Sequence, residues 1–372
     1  MNSPRFFSSS ESAAKTDGPR EKGILQCGLC PHRCVIAAGR EGQCRVRVNR
    51  EGKPALPFYG FITALAVDPI EKKPLYHFRP GTEILSAGFA GCNLRCPFCQ
   101  NWHISQDFKT RDDNVPGRFY SPAELIAAAV KPAEAGPEDT RSIAAMQSIA
   151  YTYSEPLVHV EFLLACMREA QKAGVANVLV SNGCVNSEAA GEILDLTDAV
   201  NIDLKCFSEE TYARVMGGDL SAVTDFIRMA AEKKVHLEIT TLVVPDLNDS
   251  GEELDKCRDF IAELEARGNA VPWHLSAYHP AYKWRAPPTD SHFLVGAAKR
   301  AREKLKFVYT GNIAPLAGEQ NFSDTFCPYC GKTLIIRRGY RVDTSGLSLT
   351  GENGNRSYSC AVCGKQVPVR WL

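Results

Sequence analysis

The feature that most limits how this chain can fold is an alternation. From about residue 148 to 310, short β-branched apolar runs take turns with longer amphipathic stretches: "SIAYTY", "EPLVHVEFLLACMREAQKAG", "NVLVSNG", "SEAAGEILDLT", "AVNIDLK", "HLEITTLVVP", "GEELDKCRDFIAELEARG", "WHLSAY", "HFLVGAAKRAREKL" and "KFVYT". Strands that run parallel need a crossover of helical length between them, so the rhythm predicts an α/β fold of parallel strands and crossover helices. Upstream, "TEILSAGFAG" adds an apolar run. Ser121-Pro122-Ala123-Glu124 reads as a capping box with proline at the first helical position, which predicts a helix start there. No internal repeat of about 20 to 50 residues stands out, and neither a P-loop nor a GxGxxG is present.

Cysteine is the second constraint. The chain of 372 residues carries 15 cysteines, in three groups and four loners (Cys166, Cys184, Cys206 and Cys257). Without the apolar core of an export signal, they are expected as thiols in a reducing cytoplasm, where clustered cysteines bind metal more often than they form disulfides. Cys92, Cys96 and Cys99 lie in "GCNLRCPFCQNW" at C-x3-C-x2-C spacing. A closed structural zinc site takes four protein ligands, so three thiolates suggest a shell with one open position; a zinc site that borrows His103 is the bland alternative. Cys327, Cys330, Cys360 and Cys363 form the pairs "CPYC" and "CAVC", separated by a strand-like "TLIIRRGYRV" and a polar loop "DTSGLSLTGENGNRS", a pairing that predicts a zinc ribbon. Cys27, Cys30, Cys34 and Cys44, in "CGLCPHRCVIAAGREGQC", could close a structural zinc site, hold a second iron–sulfur cluster or stay buried free thiols. The spacing does not choose among these.

Charge excludes little. Lys plus Arg and Asp plus Glu both total 43, so no overall field steers the chain toward nucleic acid or an anionic membrane. The opening "MNSPRFFSSSESAAKTDGPREKG" reads as a disordered tail, and no run approaches the roughly 18 apolar residues of a spanning helix. In an α/β barrel the site is built from loops at the C-terminal ends of strands. Polar residues expected there are Glu155, Ser181, Asn182, Asp203, Lys205, His274, Tyr278 and His279. Any one of them alone would more often be a helix cap or a satisfied polar residue; recurrence across successive strands points to a shared mouth.

With these residues assembled, the triplet preceded by Gly91, with Phe98 before its third cysteine and βα units after it, resembles the radical S-adenosylmethionine (SAM) enzymes. "CPHRC", "EGQCRVR", "DPIEKKPLYHF", "GCNLRCPFCQNWHISQ", "YTYSEP", "NIDLK", "VVPDLNDS" and "YTGN" narrow the resemblance to the AmmeMemoRadiSam-system enzymes, relatives of the pyruvate formate-lyase activating enzymes. It runs from about Cys27 to the C-terminus, apart from "VDTSGLSLTGENGNRS". The resemblance implies a partial (β/α)6 TIM-like barrel of the radical SAM type at 81–312, after a tail at 1–23 and an N-terminal Cys-rich segment at 24–80, and before a C-terminal zinc ribbon at 313–372. It implies an oxidoreductase with a [4Fe–4S] cluster on Cys92, Cys96 and Cys99 that cleaves SAM to a 5′-deoxyadenosyl radical for hydrogen abstraction, from a protein glycine in the activating enzymes. Modification of a small molecule, RNA or another side chain, or a non-catalytic metal-bound adaptor, are the alternatives. Carried over by position, Glu155 meets the SAM amino group, although Tyr153 and Ser154 stand where the family has two glycines. Ser181 and Asn182 match its "TNG" turn, Asp203 and Lys205 lie toward the SAM carboxylate or a cation beside it, and Phe98 and His274 toward adenine. An electron donor such as flavodoxin or ferredoxin, and Memo-like or Ammecr-like proteins, are the implied partners.

Overall fold

The computed structural model describes residues 4–9, 23–108, 116–130, 148–350 and 357–371; the disorder expected for residues 1–3 and 10–22 lies outside them. The chain divides into two compact units, one of Met1–Ala66, Leu85–Thr197 and Glu209–Met229, the other of Val67–Ile84, Asp198–Ser208 and Ala230–Leu372. These cut across the linear segments expected from sequence.

In the first unit, parallel strands β1 (Glu83–Phe89), β2 (Ser148–Thr152) and β3 (Ala176–Ser181) lie in the order β3-β2-β1, with Leu85 opposite Ile149 and Ser148 opposite Ala176. Phe61–Pro69 extends the sheet, and its Phe61 pairs antiparallel with Phe119 at the edge. All five residues of β2 are buried. A strand covered on both faces reads as a continuous apolar run, which is why "SIAYT" does not alternate. The crossover helix Val160–Lys172 buries Leu163, Cys166, Met167 and Ala170 along one stripe. The capping box forms as expected: the Ser121 N–H and hydroxyl both donate to Glu124 Oε2 at 2.7 Å, and the Glu124 N–H donates to Ser121 Oγ at 3.2 Å.

The opening residues are not all tail. Phe7–Ser9 pairs antiparallel with Leu25–Cys27, which in turn pairs with Val35–Ile36. The physical reason is a buried ion pair that sequence periodicity does not encode. Arg47 forks onto Glu161 at 2.8 and 3.0 Å with both side chains no more than 2% exposed, and the Arg5 N–H donates to the same carboxylate at 2.7 Å. Phe7 lies under the Arg47 guanidinium.

In the second unit, β4 (Ala199–Asp203), β5 (His236–Val243), β6 (Trp273–Ala277) and β7 (Val308–Gly311) are parallel in the order β7-β6-β5-β4. Ser250 and Asp290 cap the helices Gly251–Ala266 and Ser291–Ala301 through Glu253 N–H and Phe293 N–H. The helix Leu220–Glu232, not anticipated from sequence, precedes β5 in the chain, and its residues through Met229 belong to the first unit. At the N-terminal ends of β5 and β6 the fully buried Glu238 accepts the N–H groups of Tyr76 and His77 at 3.0 and 2.8 Å. It also receives the ring nitrogens of His236 and His274 at 2.9 and 2.7 Å. Burial pushes this carboxyl up, but those histidine bonds and charges outweigh it and hold the group well below the usual range.

The C-terminal residues form two three-stranded sheets, Thr325–Phe326 with Thr333–Arg338 and Arg341–Asp343, and Leu347–Thr350 with Ser357–Cys360 and Gln366–Val367. "TLIIRRGYRV", expected as one strand, is a hairpin turned at Gly339, whose φ of +61° suits the bend. "DTSGLSLTGENGNRS", expected as a loop, contains the strand Leu347–Thr350; residues 351–356 are outside the described set. Leu347 packs on the small core of Leu334, Ile335, Val367 and Val369. No helix among the described residues is long and apolar enough to cross a membrane.

Candidate functional site

Strand β1 is buried through Phe89 and releases the chain into Ala90, Gly91 and the cysteine loop. Gly91 has φ +81°, and a Cβ there would stand 2.4 Å from the Cys44 carbonyl and 2.7 Å from Val46 Cγ1, so only glycine fits. Past it, the Leu94 N–H donates to Cys92 Sγ at 3.3 Å, and the carbonyl of Cys96 accepts from the Cys99 N–H at 3.3 Å and from Gln106 Nε2 at 3.1 Å. Ser105 Oγ lies 3.4 Å from Cys99 Sγ. The Arg95 N–H donates to the Met216 carbonyl at 2.7 Å, and Gly217 and Gly218 leave room for Arg95 and Leu94. That "MGG" turn is a part of the site that sequence reading missed, and its glycine pair was the available signal. Burial first, then the Glu155 charge, push the Cys92 thiol well above its ordinary value. A bound metal cation reverses that balance, because it holds its thiol ligand as thiolate. His103 is exposed, and among the described residues it forms no ligand-spaced group with the triplet.

The three thiols fit a cluster of several irons. No three of these sulfurs come within single-ion spacing, whereas a cluster places each thiolate on a different iron, and a three-cysteine set leaves one iron for an outside ligand.

Glu155 follows β2 and is fully buried. Its Oε1 accepts from Ser181 Oγ at 2.7 Å and from the Leu157 N–H at 3.0 Å, and its Oε2 accepts from the Asn182 N–H at 2.9 Å. The carboxylate therefore ties the end of β2 to the turn after β3. Asn182 in turn donates through Nδ2 to Asn93 Oδ1 at 2.9 Å, with Cys92 Sγ 3.6 Å away. Glu155, Ser181 and Asn182 thus stand at successive strand ends, and Asn182 is the one of the three whose side chain reaches Cys92. Tyr153 and Ser154, which replace two family glycines, take φ of +47° and +59°. They adopt the left-handed backbone that glycine would supply, a conformation costing non-glycine residues about 1 to 2 kcal/mol each, and Ser154 Oγ donates to the Phe89 carbonyl at 2.5 Å.

In the second unit, Asp203 ends β4 and receives Lys205 Nζ at 3.0 Å, with side chains 39% and 15% exposed. Both stand at the strand end where the sequence placed them. His274 does not: it is the second residue of β6, near the strand's N-terminal end, and its Nε2 is bound to Glu238. The residue faces this way because a fully buried carboxylate needs donors, and His274 is the one that β6 supplies. Tyr278 and His279 do lie beyond the C-terminal end of β6. Phe98 is buried at 3% exposure.

The ribbon cysteines make a separate centre. Sulfurs of Cys327 and Cys363, and of Cys330 and Cys360, are 3.7 Å apart, and all four lie within 4.8 Å of one another. A tetrahedral zinc with Zn–S bonds of about 2.3 Å has sulfurs about 3.8 Å apart, so the set fits that ion. Each half is built the same way. Cys327 N–H donates to the Lys332 carbonyl and Gly331 N–H to the Cys327 carbonyl; Cys360 N–H donates to Lys365 and Gly364 N–H to Cys360. Gly331 and Gly364 have φ of +72° and +70°. The motif C-x2-C-G-K thus occurs twice, a short internal repeat that the sequence scan passed over.

The family model described as the radical SAM superfamily matches residues 88–261. The uncharacterized protein MJ0808 of Methanocaldococcus jannaschii is 34% identical over 347 residues, 93% of this chain and 95% of that protein. The pyruvate formate-lyase-activating enzyme of Staphylococcus epidermidis is 26% identical over 206 residues, 52% of this chain and 75% of the enzyme. A solved domain of the pyruvate-formate lyase-activating enzyme from Bacteroides vulgatus aligns with 44% of this chain and 98% of its own at 18% identity and a TM-score of 0.39. The superfamily match opens at Gly88, where β1 hands the chain to the three-thiol loop, and with a relative this similar along nearly its whole length the chain belongs to the radical SAM superfamily, related to the pyruvate formate-lyase-activating enzymes.

Proposed function

We propose that this protein is a radical SAM oxidoreductase of the AmmeMemoRadiSam type that abstracts hydrogen from a protein glycine. Cys92, Cys96 and Cys99 would hold a [4Fe–4S] cluster, which would supply the electron for reductive cleavage of SAM to methionine and a 5′-deoxyadenosyl radical. The observation that carries this reading is the turn at Ser181 and Asn182, anchored by the buried Glu155 and set with Asn182 Nδ2 3.6 Å from Cys92 Sγ. Glu155 and Asn182 orient the amino end of SAM, and Phe98 bounds the adenine side. The βα alternation supports reading the parallel strands as the superfamily's partial (β/α)6 barrel. A flavodoxin or ferredoxin supplies the electron, and Memo-like and Ammecr-like proteins are the functional neighbours. His274 is left to the Glu238 cluster.

The test is anaerobic reconstitution with iron, sulfide, dithionite and SAM, using candidate protein substrates labelled with deuterated glycine. Deoxyadenosine should form, carry deuterium, and disappear in the Cys92→Ala/Cys96→Ala/Cys99→Ala variant. No deoxyadenosine from an iron-loaded wild type would overturn the radical SAM chemistry; deoxyadenosine whose hydrogen comes from another position would overturn the glycine.

A further inference from the structure

The four N-terminal cysteines take no part in the reaction centre above. Cys27, Cys30 and Cys44 are buried and Cys34 is half-buried. Their chain converges. Across the antiparallel pair Leu25–Cys27 and Val35–Ile36, the Cys27 N–H donates to the Cys34 carbonyl at 2.9 Å. The turn that carries Cys44 is closed by Gly42 N–H to the Arg47 carbonyl and Arg45 N–H to the Gly42 carbonyl, both 2.9 Å. That turn aims the Gln43 N–H at Cys34 Sγ, 3.4 Å away, and brings Gly42 so near that a Cβ there would stand 3.6 Å from the same sulfur. Cys30 lies within electrostatic reach of Cys44, Cys27 and Cys34.

The Gln43 N–H donates to Cys34 Sγ at 3.4 Å, much as the Leu94 N–H donates to Cys92 Sγ at 3.3 Å in the first cluster's loop. A neutral thiol is a weak acceptor, whereas a metal-bound thiolate is a charged one. Backbone donors aimed at sulfur in this repeated way mark loops built to hold thiolate.

Spacing separates one ion from several. The ribbon sulfurs all fall within 4.8 Å; among the described residues no three N-terminal sulfurs do. Four ligands on four irons stand farther apart than four on one zinc. We infer that Cys27, Cys30, Cys34 and Cys44 hold a second iron–sulfur cluster of the [4Fe–4S] class, ligated by four thiolates and closed to SAM. The segment that holds it is seated on the first cluster's loop. His32 Nε2 is 2.7 Å from the Asn93 carbonyl, and the Cys44 carbonyl closes on Gly91.

The experiment measures iron and acid-labile sulfide in the full-length chain after anaerobic reconstitution, with EPR of the reduced protein with and without SAM. Wild type should hold about eight irons and eight sulfides, and the Cys92→Ala/Cys96→Ala/Cys99→Ala variant about four of each, with a cluster signal that SAM does not alter. The Cys30→Ser/Cys34→Ser variant should also fall to about four irons and keep the SAM-sensitive signal. An iron-free triplet variant that retains its ribbon zinc would overturn the inference, as would an N-terminal site carrying zinc without sulfide. If the triplet variant does not fold, the Cys30→Ser/Cys34→Ser variant decides alone, and unchanged iron there refutes the second cluster. Failure of the first-cluster reading looks different: wild type would then hold about four irons, all retained in the triplet variant and none responsive to SAM.

Discussion

At Gly91 the backbone runs at φ +81° with the Cys44 carbonyl where a side chain would begin. Gly91→Ala therefore adds left-handed strain of about 1 to 2 kcal/mol and sets a Cβ only 2.4 Å from the Cys44 carbonyl oxygen, a clash that only movement of the cysteine loop or the Cys44 turn relieves. Iron content after reconstitution should fall and the urea midpoint should drop. Gly174→Ala is the control, since φ is +67° there but nothing lies near the added Cβ; it should cost only the backbone strain and leave iron unchanged. A Gly91→Ala protein with full iron and wild-type stability would show that the contact is not needed. The requirement at Gly91 was not legible in sequence, because Cys44 and Gly91 meet only in three dimensions. Glu155 shows the same division. Its position after a strand was readable; that its carboxylate accepts from Leu157, Ser181 and Asn182 was not.

At the scale of elements, the ribbon has only a small core of its own. Six buried residues, two of them the cysteines Cys327 and Cys360, stand behind two three-stranded sheets. So small an apolar centre does not hold such sheets together without a metal. Cys330→Ser should remove about one zinc per chain and open the ribbon to proteolysis, while SAM cleavage stays detectable, because the metal free energy of such a site is its folding free energy. Zinc analysis alongside limited proteolysis checks this, and unchanged zinc would refute the site. The paired cysteines were plain in the sequence. The hairpin at Gly339 and the strand Leu347–Thr350 were not: an apolar run hides a two-residue turn, and a polar strand is stabilised by its pairing with Ser357–Cys360.

For the whole molecule, acid sensitivity follows from two buried histidines, one in each compact unit. Burial pushes His77 down to about 3 and His159 down to about 4. In the folded chain both stay neutral below the ordinary value of about 6.5, while the unfolded chain takes up protons there. Their contribution is thus complete above about pH 6.5 and is lost as pH falls toward 4, at about 1.4 kcal/mol per pH unit for each. Urea midpoints of metal-loaded protein should fall steadily from pH 7 to pH 5, and His77→Asn should flatten that slope by about one proton while lowering stability at pH 7. An equally steep slope in the variant would remove His77 from the account. By itself the sequence determined the α/β class, the positions of the parallel strands, the capping box at Ser121 and the three cysteine groups, since each is written in residues a few positions apart. Only the tertiary structure decided that Arg5 and Phe7 dock at Arg47 and Glu161, that His274 serves Glu238 at the base of its strand, and that Tyr153 and Ser154 turn left-handed. Each of those depends on which distant groups must satisfy a buried charge or clear a packed backbone, and no local pattern carries that information.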